Sequence, residues 1–149
     1  MTTHLKLADL IVNADQPIAT SDWVDITQER INWFADVTGD SQWIHTDPDR
    51  AAAGPFGSTI AHGFLTLSLC VPMLYEVLPS TGEMVVNYGV NKVRFPAPVP
   101  AGRRVRGRFR VRSVDAVPQG ERAVIEATIE CDGVEKPACV AELVVLTVS

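Results

Sequence analysis

Two residues that can transfer protons, Asp40 and His45, lie five positions apart in a segment rich in Asp, Pro and Gly. In a loop, a carboxylate and an imidazole at this spacing can converge on one water molecule. Together they could remove a proton from the water and return one to a substrate, as general acid–base catalysts do. The pair therefore indicates proton-transfer chemistry that involves water.

Gly63 is a candidate for stabilising negative charge. It stands near the start of residues 60–78, a nearly continuous apolar segment that predicts a helix. The N–H groups of a first helical turn have no intrahelical partner, and the helix dipole favours negative charge there. Glycine also lets an oxygen atom approach closely. The Gly63 N–H could therefore hold an oxyanion, a contribution of about 3 kcal/mol to a transition state.

Each of these residues also has a structural interpretation. Asp40 follows Gly39 and could be a turn residue, and a lone His45 could be a hydrogen-bonded structural histidine. His62 has no proton-transfer role in this scheme and is interpreted mainly as structural support beside Gly63. A metal site built from His45, His62 and carboxylates has no recognised ligand spacing, so no metal is expected.

The first half of the chain is predicted to be helical. Thr27 is a plausible N-cap for an amphipathic helix over residues 28–37, which Gly39 would end. Residues 40–58 are predicted as a loop with one helical turn at 49–53. The loop carries Asp40 and His45, and long loops of this kind are often functional.

The helix predicted over residues 60–78 is apolar on every side, which indicates that protein surrounds it. Pro72 is expected to kink this helix. The second half is strand-rich, with strands predicted at residues 22–26, 84–95, 103–114, 122–131 and 138–148. The pattern predicts an α+β domain of hot-dog fold, an antiparallel sheet of about five strands wrapped around a long buried central helix.

The composition indicates one globular domain over residues 1–149. A net charge of −5 argues against nucleic acid as a partner, because phosphate binding needs a clustered positive surface. The apolar segment is too interrupted to span a membrane, and residues 1–10 lack the apolar core of a signal peptide. Three cysteines without metal-ligand spacing are interpreted as buried thiols, so a cytoplasmic protein is expected.

Several separated motifs resemble one family. They are Gly39-Asp40, Ile44-His45, Ala61-His62-Gly63 and Arg94-Phe95-Pro96-Ala97-Pro98-Val99. Their types and spacing resemble the MaoC-like family, which includes (R)-specific enoyl-CoA hydratases, and within it the NodN-like branch. The resemblance covers most of the chain from about Val24 onward.

The resemblance implies an (R)-specific enoyl-CoA hydratase or 3-hydroxyacyl-CoA dehydratase. Asp40 and His45 would activate water, and the Gly63 N–H would hold the thioester oxygen. The implied substrate is a thioester of coenzyme A or of acyl carrier protein, with no other cofactor, and the implied assembly is a homodimer or higher homo-oligomer. The candidate substrate-binding residues are Trp43, His62, Phe64 and Arg94.

Two positions depart from the family pattern. Gln42-Trp43 stands where the hydratases usually have Asn-Pro, and Val71 stands where some have a serine that supports the catalytic aspartate. Ser68 lies one turn too early to replace that serine directly. These departures keep open a non-catalytic acyl-CoA or acyl-carrier binding protein, and a hot-dog thioesterase is a further alternative.

Other residues are ambiguous. Trp43 could line an acyl pocket or fill the core, and Arg94 could contact a phosphate. Arginine recurs at every second position of one predicted strand (Arg104, Arg106, Arg108, Arg110 and Arg112). This stripe could bind the phosphates of coenzyme A, but a solvated face paired with Glu126 and Glu130 of the next strand is the preferred interpretation.

Overall fold

The computed structural model describes residues 19–78 and 84–148. Within these residues, four helices and six strands follow one another. They are β1 (Ala19–Thr20), β2 (Val24–Asp25), α1 (Gln28–Thr38), α2 (Trp43–Thr46), α3 (Pro48–Ala52), α4 (Gly63–Val77), β3 (Met84–Arg94), β4 (Arg104–Val117), β5 (Gly120–Cys131) and β6 (Cys139–Val148). Residues 1–10, where no signal peptide is predicted, lie outside the described residues.

The strands form one antiparallel sheet in the order β1-β4-β5-β6-β3, with β2 also pairing with β4. A tight turn joins β4 to β5, and Val117 pairs with Gly120 beside it. The strands predicted at residues 103–114 and 122–131 therefore form an antiparallel hairpin. The strand predicted at residues 22–26 is shorter than expected, because only Val24 and Asp25 pair with β4 there.

The core lies between α4 and one face of the sheet. Met73 and Leu74 of α4 are buried, as are the alternate residues Ile125, Ile129 and Leu143 of the sheet. Burial of this apolar surface is the main stabilising contribution. A sheet curled around a buried helix confirms the predicted hot-dog fold.

Gly107 permits the closest approach within this core. A Cβ atom placed there would lie 2.6 Å from the ring of Phe109 and 3.2 Å from the sulfur of Met73. The β4 residues Val105, Phe109 and Val111 are buried on the same face. A glycine at position 107 thus makes room for an aromatic ring under the helix.

Helix α1 begins and ends as its sequence predicts. The Thr27 side chain accepts a hydrogen bond from the Arg30 N–H at 3.1 Å, and Gly39 ends the helix with a left-handed φ of 80°. The prediction of a loop over residues 40–58 was incomplete, because it contains α2 as well as the expected helical turn α3. Helix α2 has only one turn and no side-chain N-cap, so it carries little sequence signal.

The prediction that α4 starts at residue 60 was wrong by three residues. Ile60 pairs with Pro100 in an isolated bridge, and the Ala61 N–H donates to the carbonyl oxygen of Val99 at 2.8 Å. These contacts keep the backbone extended as far as His62, the N-cap of α4. The helix contains Pro72 and continues to Val77.

The arginine stripe lies on the outer face of β4 and is largely neutralised. Arg106 and Arg108 both contact Glu130, at 2.8 and 3.1 Å. Burial acts to raise the pKa of Glu130, but the hydrogen bonds from these two arginines hold that pKa below its usual value. Arg104 pairs with Asp132 and Arg112 with Glu126. The predicted pairing of this face with Glu126 and Glu130 is confirmed, and binding of coenzyme A phosphates by the stripe stays a prediction.

The three cysteines are free and buried, as predicted. Cys70 of α4 and Cys139 of β6 interact directly, and this contact together with burial raises the pKa of the Cys70 thiol. Within residues 19–78 and 84–148, no helix combines the length and apolar character required to cross a membrane.

Candidate active site

Asp40 is positioned by the end of α1. The Gly39 N–H closes the helix on the Ala35 carbonyl oxygen at 2.8 Å, and the left-handed turn at Gly39 directs the chain away from the helix axis. Asp40 is exposed. Among residues 19–78 and 84–148, its Oδ1 has only a long contact, 3.4 Å, with the Gln42 N–H, so most of the hydrogen-bonding capacity of the carboxylate remains available to a ligand.

His45 lies in α2 and is buried. Its Nδ1 is 2.7 Å from the carbonyl oxygen of Ile60. A carbonyl oxygen only accepts hydrogen bonds, so Nδ1 carries the hydrogen and Nε2 has the free lone pair in the neutral ring. Nε2 is therefore the atom of His45 that can take a proton.

The groups around His45 shift its pKa in opposite directions. Burial, the largest effect, lowers its pKa below the usual value, and a positive charge on His62 would act in the same direction. The hydrogen bond to Ile60 and the carboxylate of Asp40 act to raise the pKa, and the net shift is downward. A lowered pKa keeps the imidazole neutral at physiological pH, as a general base requires.

His62 joins Asp40 and His45 into one cluster. The potential ligand atoms of these three residues lie within 4.8 Å of one another. His62 Nε2 donates to the backbone carbonyl oxygen of Asp40 at 2.8 Å. Its ring stacks on His45, with centroids 3.8 Å apart and planes at 24°. The structure thus brings the predicted acid–base pair together through a third residue.

This cluster has donor types that metals bind, but its geometry is unfavourable for one shared ion. The lone pairs of an imidazole lie in the ring plane. In two stacked rings these planes are nearly parallel, so both rings cannot direct a lone pair at one central point without a large rearrangement. The expectation that no metal is bound stays a prediction.

Gly63 is the first residue of α4 and directly follows His62. Within the described residues, its N–H donates no hydrogen bond. A Cβ atom at this position would come within 3.2 Å of the Phe95 ring. An apolar cavity of about 300 Å³ adjoins Gly63, with lining residues that include Phe56, Thr66 and Phe95. A free backbone donor beside an apolar cavity suits a thioester oxygen with its acyl chain.

Trp43 lies at the start of α2. Its ring packs between Gly54, where a Cβ would lie 3.1 Å away, and the Arg50 guanidinium, 4.4 Å from the ring centroid. These contacts favour the packing interpretation of Trp43 over a role in binding substrate. Its predicted role as a substrate-binding residue stays a prediction.

Phe64 and Arg94 are not part of the histidine cluster. The Phe64 side chain is 72% exposed and lines a groove of about 290 Å³ between α4 and β3. Arg94 is exposed, and its Nη1 donates to the carbonyl of the preceding residue, Val93. Neither set of contacts shows whether Phe64 or Arg94 touches a substrate, so both substrate-binding assignments remain predictions.

Of the two departures from the family pattern, Gln42-Trp43 lies at the start of α2 and Val71 lies on α4. Ser68 donates to the Leu65 carbonyl oxygen of its own helix at 2.8 Å, so its hydroxyl does not support Asp40. Ser68 and Val71 both line the groove between α4 and β3. The support for Asp40 comes instead from His62.

Sequence reasoning missed Gln28 and Thr59. The Gln28 amide donates to the carbonyl oxygen of His45 at 2.7 Å and accepts from the Thr59 hydroxyl. It thereby ties α1, α2 and the segment before α4 together around the site. A glutamine in a first helical turn is common, so the sequence offered no signal for this long-range contact.

Comparisons with known proteins identify the family. Residues 11–132 match the family described as MaoC like domain. The chain is 52% identical over 147 residues to 3-hydroxyacyl-thioester dehydratase Z of Mycobacterium tuberculosis, with 97% of each chain covered. It is 41% identical to Nodulation protein N of Rhizobium leguminosarum bv. viciae, with 96% of this chain and 91% of the relative covered.

A solved structure gives the same result at the level of the fold. The (R)-hydratase from A. caviae involved in PHA biosynthesis matches 89% of this chain and 97% of its own, with a TM-score of 0.73 and 25% identity. The family match spans most of the chain, and the resemblance inferred from the motifs is confirmed. The chain belongs to the MaoC-like dehydratase family.

Proposed function

We propose that this protein is a hydro-lyase that interconverts a 2-enoyl thioester and a 3-hydroxyacyl thioester by adding or removing water. The family and its named dehydratase relatives support this reaction class. The observation that carries the proposal is the cluster of Asp40 and His45 with His62, the residue directly before Gly63 and its free N–H. Among the described residues, His45, Asp40 and Gly63 can supply a base, an anionic water-orienting group and an oxyanion donor.

The reaction needs one proton to move from water to carbon. His45 Nε2 takes a proton from a water molecule that Asp40 orients, and the oxygen forms a bond to C3. The C2=C3 π electrons shift onto the thioester oxygen, which accepts a hydrogen bond from Gly63. The enolate then collapses and takes the proton at C2, which returns His45 to its neutral form.

The stereochemistry and the carrier belong to the same proposal. One cluster holds the water and handles both protons, so hydroxyl and hydrogen are expected to add to the same face. The likeness to the (R)-hydratase from A. caviae supports an (R)-3-hydroxyacyl product. The acyl group is carried by coenzyme A or by acyl carrier protein. We further propose a cytoplasmic location, which the three free cysteines support.

The direct test uses purified protein with crotonyl-CoA and longer 2-enoyl-CoAs. We expect loss of the absorbance of the conjugated thioester without release of free thiol. Thiol release would identify a thioesterase instead. Binding of the enoyl-CoA without turnover at any chain length would identify a binding protein and contradict the proposal.

We propose a second copy of this chain as the partner of the β3 edge. Among the described residues, strand β3 ends the sheet, and no described strand pairs with its outer side. It exposes four apolar residues, Met84 and Val86 before a register shift and Tyr88 and Val90 at or after it. Two such edges related by a twofold axis could pair antiparallel and cover these residues, and this arrangement favours a homodimer.

A further inference from the structure

His62 contacts three parts of the proposed machinery at once. Its Nε2 holds the backbone of Asp40 at 2.8 Å, and its ring lies flat against His45. As the N-cap residue of α4 it also immediately precedes Gly63. The His62 ring also packs against Phe34 of α1, with the two ring centroids 4.9 Å apart. Only 2% of the residue is exposed, so this position is set by the protein and not by solvent.

The hydrogen bonding of His62 selects one form of the ring. The partner of Nε2 is a carbonyl oxygen, which only accepts, so Nε2 carries the hydrogen. Nδ1 is buried and has no hydrogen-bond partner among the described residues. Protonating Nδ1 would bury an unpaired N–H together with a positive charge, which is costly. The neutral ring with hydrogen on Nε2 is therefore the form that this site favours.

A neutral His62 has a consequence for its stacked neighbour. His45 must gain a proton during the reaction, and a positive charge 3.8 Å away would oppose this step. The titratable groups that act on His45 are His62 and Asp40. When His62 is neutral, Asp40 is the only charged one of these two groups, and its negative charge favours the protonated form of His45.

We propose that His62 is a positioning residue for the proposed hydration reaction, holding the Asp40 backbone and the His45 ring in register as a neutral Nε2–H imidazole. It touches neither the substrate nor the reacting water in this role. The inference rests on the proposed function only where it predicts a change in kcat. The geometric part concerns the state of two imidazole rings and can be tested without turnover.

Two substitutions separate the two contacts of His62. His62→Gln keeps an N–H donor near the position of Nε2 but removes the ring that stacks on His45. His62→Phe keeps a flat ring but removes the donor to Asp40. Phe34→Leu is the matched control, because it changes the packing against the His62 ring while all nitrogen atoms remain.

The kinetic measurement uses crotonyl-CoA. We expect both His62 variants to lower kcat about 10²-fold with little change in KM, as small misplacements of catalytic groups do. Folding is checked by circular dichroism and Tm. In Phe34→Leu, kcat is expected to stay close to that of the unmodified protein, even if Tm falls. Unchanged kcat in both folded His62 variants would overturn the proposal.

The decisive readout is ¹⁵N NMR of the two rings in the unmodified protein. We expect neutral His62 with hydrogen on Nε2, and neutral His45 with hydrogen on Nδ1, at neutral pH. We also expect the ring nitrogens of His45 to shift in both His62 variants and to stay unchanged in Phe34→Leu. A charged His62, or the opposite tautomer, would overturn the proposal even if every variant failed to fold. These signals are informative whether or not crotonyl-CoA is hydrated, so failure of the positioning role is distinguishable from failure of the proposed reaction.

Discussion

The Nδ1 atom of His45 lies 2.7 Å from the backbone carbonyl oxygen of Ile60. This one contact decides which nitrogen of His45 is basic, because the carbonyl requires a donor. Ile60 belongs to the extended segment that leads into α4, and its own bridge to Pro100 fixes that segment. The position of the basic nitrogen in His45 thus depends on a backbone carbonyl group 15 positions further along the chain.

The first prediction concerns the acid–base pair. Asp40→Asn and His45→Ala should each lower kcat/KM for crotonyl-CoA hydration by about 10²–10⁴-fold, because the first removes the carboxylate that orients the water and the second removes the base. Asp36→Asn is the control, since Asp36 is an exposed carboxylate on α1. Near-normal hydration by His45→Ala would exclude His45 as the base.

The second prediction concerns pH. The base must be neutral, and burial holds the pKa of His45 below its usual value, which is about 6.5. The rate should therefore be constant through neutral pH and fall only in more acidic solution. Asp40 acts to raise this pKa, so in Asp40→Asn the NMR titration of His45 should move to still lower pH. A shift to higher pH would contradict the assigned sign.

The third prediction concerns the oxyanion donor. In Gly63→Ala the new Cβ would lie about 3.2 Å from the ring of Phe95 and would crowd the approach to the N–H. We expect kcat/KM to fall about 10²-fold while the fold is retained, since small displacements at the reacting centre are costly. Circular dichroism checks the fold. Full activity in a correctly folded Gly63→Ala variant would rule out this N–H as the donor.

The fourth prediction concerns core packing. Gly107→Ala places a Cβ 2.6 Å from the Phe109 ring, and overpacking of this kind lowers the free energy of unfolding by about 1–3 kcal/mol. Chemical denaturation measures the change. Phe109→Leu removes the clashing ring, so the double variant should lose less than the sum of the two single losses. If the two losses in free energy of unfolding simply added up, the Phe109 ring would not be the group that clashes with the new Cβ.

The fifth prediction concerns assembly. Val90→Arg places a charge among the exposed apolar residues of β3 and should shift the protein from dimer to monomer, as measured by light scattering. The control is Val37→Arg on α1, where a valine is even more exposed, 81% against 43%. A strict monomer for the unmodified protein would contradict the proposed pairing of β3 edges.

Much of the fold could be predicted because its signals are local. The alternation of Val105, Phe109 and Val111 with arginines reports a strand with one buried face. The Thr27 cap and the Gly39 stop mark the two ends of α1. The family motifs located Asp40, His45 and Gly63, although none of these positions by itself distinguishes catalysis from a turn or a structural role.

Long-range contacts decided the rest. The start of α4 is delayed to Gly63 by backbone pairing with residues 99–100, which no local pattern reveals. The stacking of His62 on His45, and the tie from Gln28 to the His45 carbonyl, join positions that are 17 residues apart in both cases. The sequence alone therefore determined which residue types were available for proton transfer and which segments would be helix or strand. Only the tertiary structure decided which imidazole nitrogen is free and which residue supports Asp40, because hydrogen bonds and ring contacts between distant segments exist only once the chain is packed.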